Sequence, residues 1–462
     1  MADQPGTVAD LIRTAAEAAI EYRLGLSGRP VAQPIDRDAM VAALGGPLPA
    51  EPTPPDRVLD DLVIAVDTGL VATAGPRFFG FVVGGSLPAA TAVDMLAVGW
   101  DQLGFNATTS PAASAVEEVA GWWIKDLLGL PTTASVGFGT GAQSANTVGL
   151  AAGRHRVLEA VGWDVERDGL AGSPRVRVVA SVERHATVDR SLRLLGLGTG
   201  AVRPVAADAQ GAIDIDDLAR VLADEPDTPT IVVLQTGNVN TGACDDLRAA
   251  IGVARTVPHS WVHVDGAFGL WAAACPETRS LTDGIELADS WCTDGHKWLN
   301  VPYDCGLVFC ADPAAHVAAA SYSASYLTGA GSAGSPSDFV LESSRRARGF
   351  AVWAALRELG ASGVAELVRR TCALARRFAD GLAAGGVEIV NDVVLNQVLA
   401  GFGSDERTDT VIDGVQRDGT CWLGGTTWRG RRLMRISVSN WSTTEDDVDR
   451  SVAAILRVAA TA

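Results

Sequence analysis

Short apolar, β-branched runs alternate with helix-length segments through the middle of this chain, and that alternation admits few folds. The runs 175–181, 230–235 and 261–265 are each separated by helix-like stretches. Strands joined through intervening helices pair in parallel, so a mostly parallel sheet covered by helices is expected. Further strands are expected at 134–138 and 287–292. Beyond Arg348 the pattern changes to a long pair of helices, short strands at 387–390, 395–400 and 433–438, and a closing helix at 443–458. Ahead of the alternating region lie an amphipathic helix at 8–26, a proline-rich linker at 47–55, and helices at 56–73, 89–103 and 114–128. The expected organisation is an N-terminal helical arm (1–73), a large α/β domain (74–347) and a smaller α+β domain (348–462). A chain of 462 residues exceeds one ordinary core, which agrees with that division.

Charge narrows the partners. A net charge of −18 repels phosphate backbones and anionic lipid, so neither nucleic acid nor membrane is expected as a partner. Apolar stretches are interrupted well short of a membrane span, and the opening Met-Ala-Asp-Gln-Pro lacks a secretory pattern. Seven irregularly spaced cysteines argue against a disulfide framework, and a reducing cytoplasm is expected.

Of the 37 basic residues only two are lysines, Lys125 and Lys297. Where arginine supplies nearly every positive charge, a retained lysine points to work a guanidinium cannot do, such as forming an imine with an aldehyde. Lys125 lies in a helical run and reads as part of a solvated face. Lys297 sits in Asp294-Gly295-His296-Lys297-Trp298, a polar turn after a strand, where α/β folds place chemistry.

Imine chemistry with pyridoxal phosphate needs three further groups: an anion cradle, an acid for the pyridine nitrogen, and a group stacked on the ring. Gly139-Thr140-Gly141-Ala142-Gln143-Ser144 joins an expected strand to a helix, and its small residues let backbone N–H groups approach a phosphate. Thr140, Gln143 and Ser144 are expected to add side-chain donors. The same stretch reads as a loose dinucleotide fingerprint, Gly137-x-Gly139-x-x-Ala142, giving a nicotinamide- or flavin-dependent oxidoreductase as a rival. That rival requires an acidic residue closing the next strand, whereas Glu159 falls inside the helix. Asp265 ends a strand and can pair with a protonated pyridine nitrogen. His185 follows another strand and can lie against the ring, while His296 can touch phosphate or carry protons. His259 and His263 have a metal-like spacing but no carboxylate or cysteine company, so no metal site is expected.

These motifs resemble the group II pyridoxal-phosphate-dependent decarboxylases, the family of aromatic-amino-acid, glutamate and diaminobutyrate decarboxylases. The resemblance runs from about Pro76 to the C-terminus. It rests on His296-Lys297-Trp298, on Val262-His263-Val264-Asp265-Gly266-Ala267, on Glu183-Arg184-His185, and on the loop from Thr140 to Asn146. It implies the aspartate-aminotransferase-like fold, a homodimer with interface active sites, and pyridoxal phosphate held by Thr140, Gly141, Ala142, Gln143, His185, Asn238, Asp265, Asp294, His296 and Lys297. Asn238 belongs to a further active-site loop, Gln235 to Asp245, and Ala142 and Gln143 take the phosphate-contacting positions. Phe78, Phe79 and Phe81 fall in the segment that shapes the family's substrate pocket and hint at an aromatic L-amino acid. Arg435 reads either as a clamp for the substrate carboxylate or as a structural partner of Asp446 or Glu445. The expected reaction is decarboxylation to an amine. The alternatives on the same fold are transamination, aldehyde synthesis and carbon–carbon cleavage, and a binding protein without activity is a further one. The family's mobile-loop tyrosine has no counterpart in 329–339, where Pro336 falls near its place. Tyr322, Tyr326 and His296 are the candidate substitutes.

Overall fold

The computed structural model describes residues 7–32, 36–322 and 334–462. Its large sheet comprises β1 (Ser135–Gly139), β2 (Arg177–Ser181), β3 (Val202–Val205), β4 (Thr230–Gln235), β5 (Ser260–Asp265), β6 (Ser290–Asp294) and β7 (Gly306–Cys310). The spatial order is β1-β7-β6-β5-β4-β2-β3. Strands β2 to β6 run parallel, and β7 is antiparallel to both β1 and β6. Strands β2, β4 and β6 are buried along their whole length, and the apolar centres of β2 and β4 read accordingly.

Two strands of this sheet escape sequence reasoning. β3 is a four-residue edge strand, Val-Arg-Pro-Val, and proline is tolerated at an edge where its missing N–H faces no partner. β7 returns directly from β6 through residues 295–305, without a helix, and so must be antiparallel.

The expected pair of helices after Arg348 is Gly349–Ala384, broken at Gly360, whose φ of 61° lies in the left-handed region. Val352, Ala355 and Leu356 pack into the core of the large sheet, whereas Leu374, Phe378 and Leu382 pack into that of a smaller one. The smaller sheet is antiparallel, with β8 (Glu388–Ile389), β9 (Gln397–Gly401), β10 (Gly424–Trp428) and β11 (Arg431–Ser437) in the order β10-β11-β9-β8. β10 is missed by pattern because Gly-Gly-Thr-Thr-Trp carries no apolar alternation. It is fixed instead by a hairpin whose two turn residues, Arg429 and Gly430, have φ of 50° and 77°.

The N-terminal helices Val8–Gly25, Arg37–Leu44 and Pro55–Val66 contain no buried residue. Among the described residues no helix is long and apolar enough to cross a membrane.

Two basic side chains hold the scaffold from inside. Lys125 is not on a solvated face as its sequence suggests. It is buried, and its ammonium donates to the carbonyls of Thr132 and Ala134 at 2.7 Å each, fixing the chain as it enters β1. Arg345 donates to both carboxylate oxygens of Glu117, at 2.7 and 2.6 Å, with both residues buried. Removing one member of such a pair strands the other in a low-dielectric interior. Arg345→Met is therefore expected to destabilise the fold by about 3 kcal/mol, read as a lowered urea midpoint. Replacing both members with apolar residues should recover most of that loss.

Candidate functional site

Five strand ends deliver the candidate residues to one side of the sheet. β1 leads through Gly139–Gly141 into the helix Ala142–Glu159; β2 leads to His185, β4 to Asn238, β5 ends on Asp265, and β6 ends on Asp294 just before Lys297. All five are carboxyl ends of strands that share one direction, the rim where open α/β sheets bind ligands.

At the centre, Lys297 Nζ lies 2.9 Å from Asp294 Oδ2. Burial works to lower the Lys297 ammonium, but the adjacent Asp294 and the more distant Asp265 outweigh it and raise the group above its usual value. Asp294 is itself buried and accepts from the Ala142 N–H at 2.6 Å. His296 accepts from the Cys305 N–H at 3.0 Å through Nδ1, so its neutral ring carries the proton on Nε2, 3.7 Å from Asp294. Burial holds His296 below its usual value. Its ring lies against Tyr303, with centroids 4.4 Å apart.

Asp265 accepts from Asn146 Nδ2 at 3.2 Å and from the Ala267 N–H at 3.2 Å. His185 caps the helix Ala186–Leu194, its Nδ1 accepting from Thr187 N–H at 3.3 Å. Its ring edge is open to solvent, yet the protein packed around it removes enough water to lower its pKa; Lys297 and Arg435 push the same way and Asp265 against.

The loop after β1 is shaped for an anion. Gly306 presses its backbone against Gly141, where a Cβ on Gly306 would meet Gly141 Cα at 2.3 Å. A Cβ on Gly141 would approach His296 Cε1 at 3.3 Å and Asp294 Oδ1 at 3.4 Å. Ser144, in the first turn of the helix, has a buried hydroxyl with no partner among the described residues. An orphaned buried hydroxyl at a helix N-terminus fits a phosphate that would accept from it. These residues suit pyridoxal phosphate, with an amine, a carboxylate and an imidazole on neighbouring strand ends.

Several expected contacts go elsewhere. Gln143 does not offer its amide to the cradle, because Nε2 donates to Ser191 Oγ at 2.9 Å and to the Thr187 carbonyl at 3.3 Å. Thr140 stays half-buried in the loop. Asn238 is buried and spends its side chain on backbone, accepting from Asn240 N–H of its own loop at 2.9 Å and donating to the Glu183 carbonyl beside His185 at 3.4 Å. Phe79 is not at the cluster but in the small-sheet core, edge-on to Phe378 at 5.1 Å. Phe78 stacks on Trp422 at 5.0 Å, and Phe81, largely exposed, stacks on the same indole at 5.8 Å. Arg435 pairs with neither Asp446 nor Glu445, whose partners are Arg450 and Arg377. Among the described residues its guanidinium donates only to the Val239 carbonyl, at 3.2 Å, and burial lowers its pKa. Tyr322 is exposed, while Tyr326 and residues 329–333 lie outside the described residues.

Sequence reasoning missed Asn300. Its Oδ1 accepts from Gly85 N–H at 2.6 Å and Trp441 N–H at 2.9 Å, and its Nδ2 donates to the carbonyls of Trp298 at 2.8 Å and Ser439 at 2.9 Å. Gly84 lets the N-terminal segment lie on the same turn, since a Cβ there would meet Lys297 O at 2.3 Å. The signals available were the Gly84-Gly85 pair and an asparagine three residues past the lysine. Gly306→Ala is expected to push the cradle backbone aside, lowering thermal stability by about 2 kcal/mol and weakening pyridoxal-phosphate retention in equilibrium dialysis.

Comparison with known proteins identifies the family and the fold. Residues 39–400 match the pyridoxal-dependent decarboxylase conserved domain. Tryptophan decarboxylase 1 of Oryza sativa subsp. japonica is 28% identical over 455 residues, covering 91% of this chain and 87% of its own. The 4-hydroxyphenylacetaldehyde synthase of Rhodiola rosea is 26% identical over 449 residues, covering 93% and 90%. The crystal structure of Oryza sativa TDC with PLP and tryptamine superposes with a TM-score of 0.91 at 25% identity, over 99% of both chains.

Proposed function

The chain belongs to the pyridoxal-dependent decarboxylase family, and from that premise we propose that it removes carbon dioxide from an aromatic L-amino acid, leaving the amine. The observation that carries this reading is the convergence of Lys297, Asp265, His185 and the orphaned Ser144 hydroxyl on one rim of the sheet. The aromatic preference rests on the tryptophan and tyrosine decarboxylases among its relatives.

When bound, pyridoxal phosphate supplies a pyridinium that accepts the electrons of the bond broken at the substrate Cα. Lys297 offers the amine that attaches the cofactor, and Asp294 holds that amine in place. Asp265, braced by Asn146 and the Ala267 N–H, would pair with the pyridine nitrogen. His185 would lie against the ring. The Ser144 hydroxyl and the first-turn N–H groups other than that of Ala142, which donates to Asp294, would receive the phosphate. His296 Nε2–H and Lys297 Nζ, both beside Asp294, are the groups that would hold or move a proton there. Arg435 lies near enough to His185 to lower its pKa and, among the described residues, has no acidic partner.

That same unpaired Arg435 favours one second reading. A carboxylate clamped by a guanidinium is retained rather than expelled, which suits transamination.

The unburied N-terminal helices support a homodimer. Ile12, Ile20, Leu24, Leu62 and Ile64 are all exposed on them, and apolar faces of this extent are ordinarily covered by a partner. The seven free thiols suit a reducing cytoplasm.

Lys297→Ala is expected to abolish both the yellow absorbance of the loaded protein and amine release, and borohydride should tag the Lys297 peptide in the wild type. A tag on Lys125 would overturn the assignment. Incubation with aromatic L-amino acids is expected to yield amines by mass spectrometry; keto acids in their place would establish transamination. Sedimentation should give twice the chain mass, falling to one when Ile12 and Leu24 are both changed to Asp.

A further inference from the structure

Behind Asp265 and the Asn146 that braces it lies a chain of buried polar groups to which the reading above, on which this inference rests, gives no role. Trp261 Nε1 donates to Ser290 Oγ at 2.9 Å. Ser290 Oγ meets His263 Nδ1 at 2.7 Å, and His263 Nε2 meets Asn146 Oδ1 at 2.7 Å. Asn146 Nδ2 then donates to Asp265 Oδ2 at 3.2 Å, and its other N–H to Thr187 Oγ1 at 3.3 Å. Thr187 Oγ1 in turn lies 2.8 Å from His185 Nδ1. Trp261, Ser290, His263 and Asn146 are all buried.

The two ends of this chain fix its direction. An indole N–H can only donate, and a carboxylate oxygen can only accept. Every group between them must therefore point the same way: Ser290 donates to His263 Nδ1, and His263 donates from Nε2 to Asn146 Oδ1. Burial lowers His263 to about 4, against the pull of Asp265, so its ring is neutral and carries its single proton on Nε2. The Asn146 amide is filled on all sides, because its Oδ1 also accepts the Cys292 thiol at 3.1 Å. Hydrogen bonds aligned head to tail polarise one another, so the last donor in the series is the strongest.

The helix facing this chain gives up stability to admit it. A Cβ at Gly149 would meet His263 Cε1 at 2.6 Å, and one at Gly153 would meet Trp261 Cδ1 at 2.7 Å. Glycine inside a helix is unfavourable relative to alanine. A leucine against alanines would fill the same layer without a buried polar group needing a partner.

We propose that Asn146, oriented through His263 and Ser290, is the positioning residue for both ring-facing groups, aiming Asp265 at the pyridine nitrogen and His185 at the ring face. Neither Asn146 nor His263 touches the reacting atoms. Their effect is on the protonation of the cofactor nitrogen, which decides how well electrons are accepted from Cα.

The test compares His263→Phe with His263→Gln in the holoenzyme. Glutamine can donate to Asn146 and accept from Ser290, whereas phenylalanine fills the space and does neither. The primary readout is the nitrogen-15 shift of the pyridine nitrogen in bound labelled pyridoxal phosphate, together with steady-state kinetics. In His263→Phe the shift is expected to move towards the unprotonated value, with kcat falling about tenfold, on the scale seen when a group that orients a ligand is lost, while KM changes less than twofold. His263→Gln should restore both. A wild-type shift and kcat in His263→Phe would overturn the proposal, as would equal loss in both variants, which would mean that only shape matters. Should His263→Phe fail to fold, Ser290→Ala removes one hydroxyl from the same series, and the same shift and kcat criteria decide.

Discussion

Asn300 makes the joint on which the site depends. One amide, in a left-handed conformation with φ of 60°, satisfies backbone groups from the N-terminal segment, the Lys297 turn and the strand exit at Ser439. An asparagine adopts that conformation more readily than most residues, and its short side chain can both donate and accept. Three parts of the chain that are remote in sequence therefore meet at a point just beyond the lysine. The position of Lys297 is set by this knot as much as by the sheet that delivers it.

Electrostatics inside the site differ in kind from those of the surface. Outside, acidic residues dominate and sit in exposed pairs such as Arg377–Asp449 and Arg248–Asp283, each worth little in water. Within the rim, Lys297, Asp294, His296 and Asp265 are held together with little solvent, where each charge is felt by the others. The opposing effects on Lys297 illustrate this. Burial pulls the ammonium down, and its carboxylate neighbour more than offsets that pull.

Sequence reasoning recovers the ends of strands better than their interiors. Lys297, Asp265 and His185 are legible because each is a polar residue at the close of an apolar run, where an ordinary core residue is out of place. Asn146, Ser290 and His263 are equally polar, but they lie inside a helix and two strands, and a pattern of apolar spacing has no means of telling a linked polar group from a tolerated one. Phe79 is misplaced for a related reason. An aromatic cluster beside a proline reads the same whether it lines a pocket or fills a core, and Phe79 fills a core. Strand β3 and the hairpin strand β10 are set by neighbours already in place and by turn geometry, neither of which leaves an apolar signature. The large architecture survives these omissions because crossover helices and parallel strands constrain each other.

The scarcity of lysine has a practical corollary once both positions are seen in space. Lys125 is closed off by two carbonyls, so it is a poor nucleophile towards anything arriving from solvent. Lys297 is thus left as the single side-chain amine within reach of a small electrophile. Amine-directed reagents, which decorate most proteins at many points, would here act as site-selective labels. A chain that supplies its surface charge with arginine has in effect made its own catalytic candidate chemically addressable.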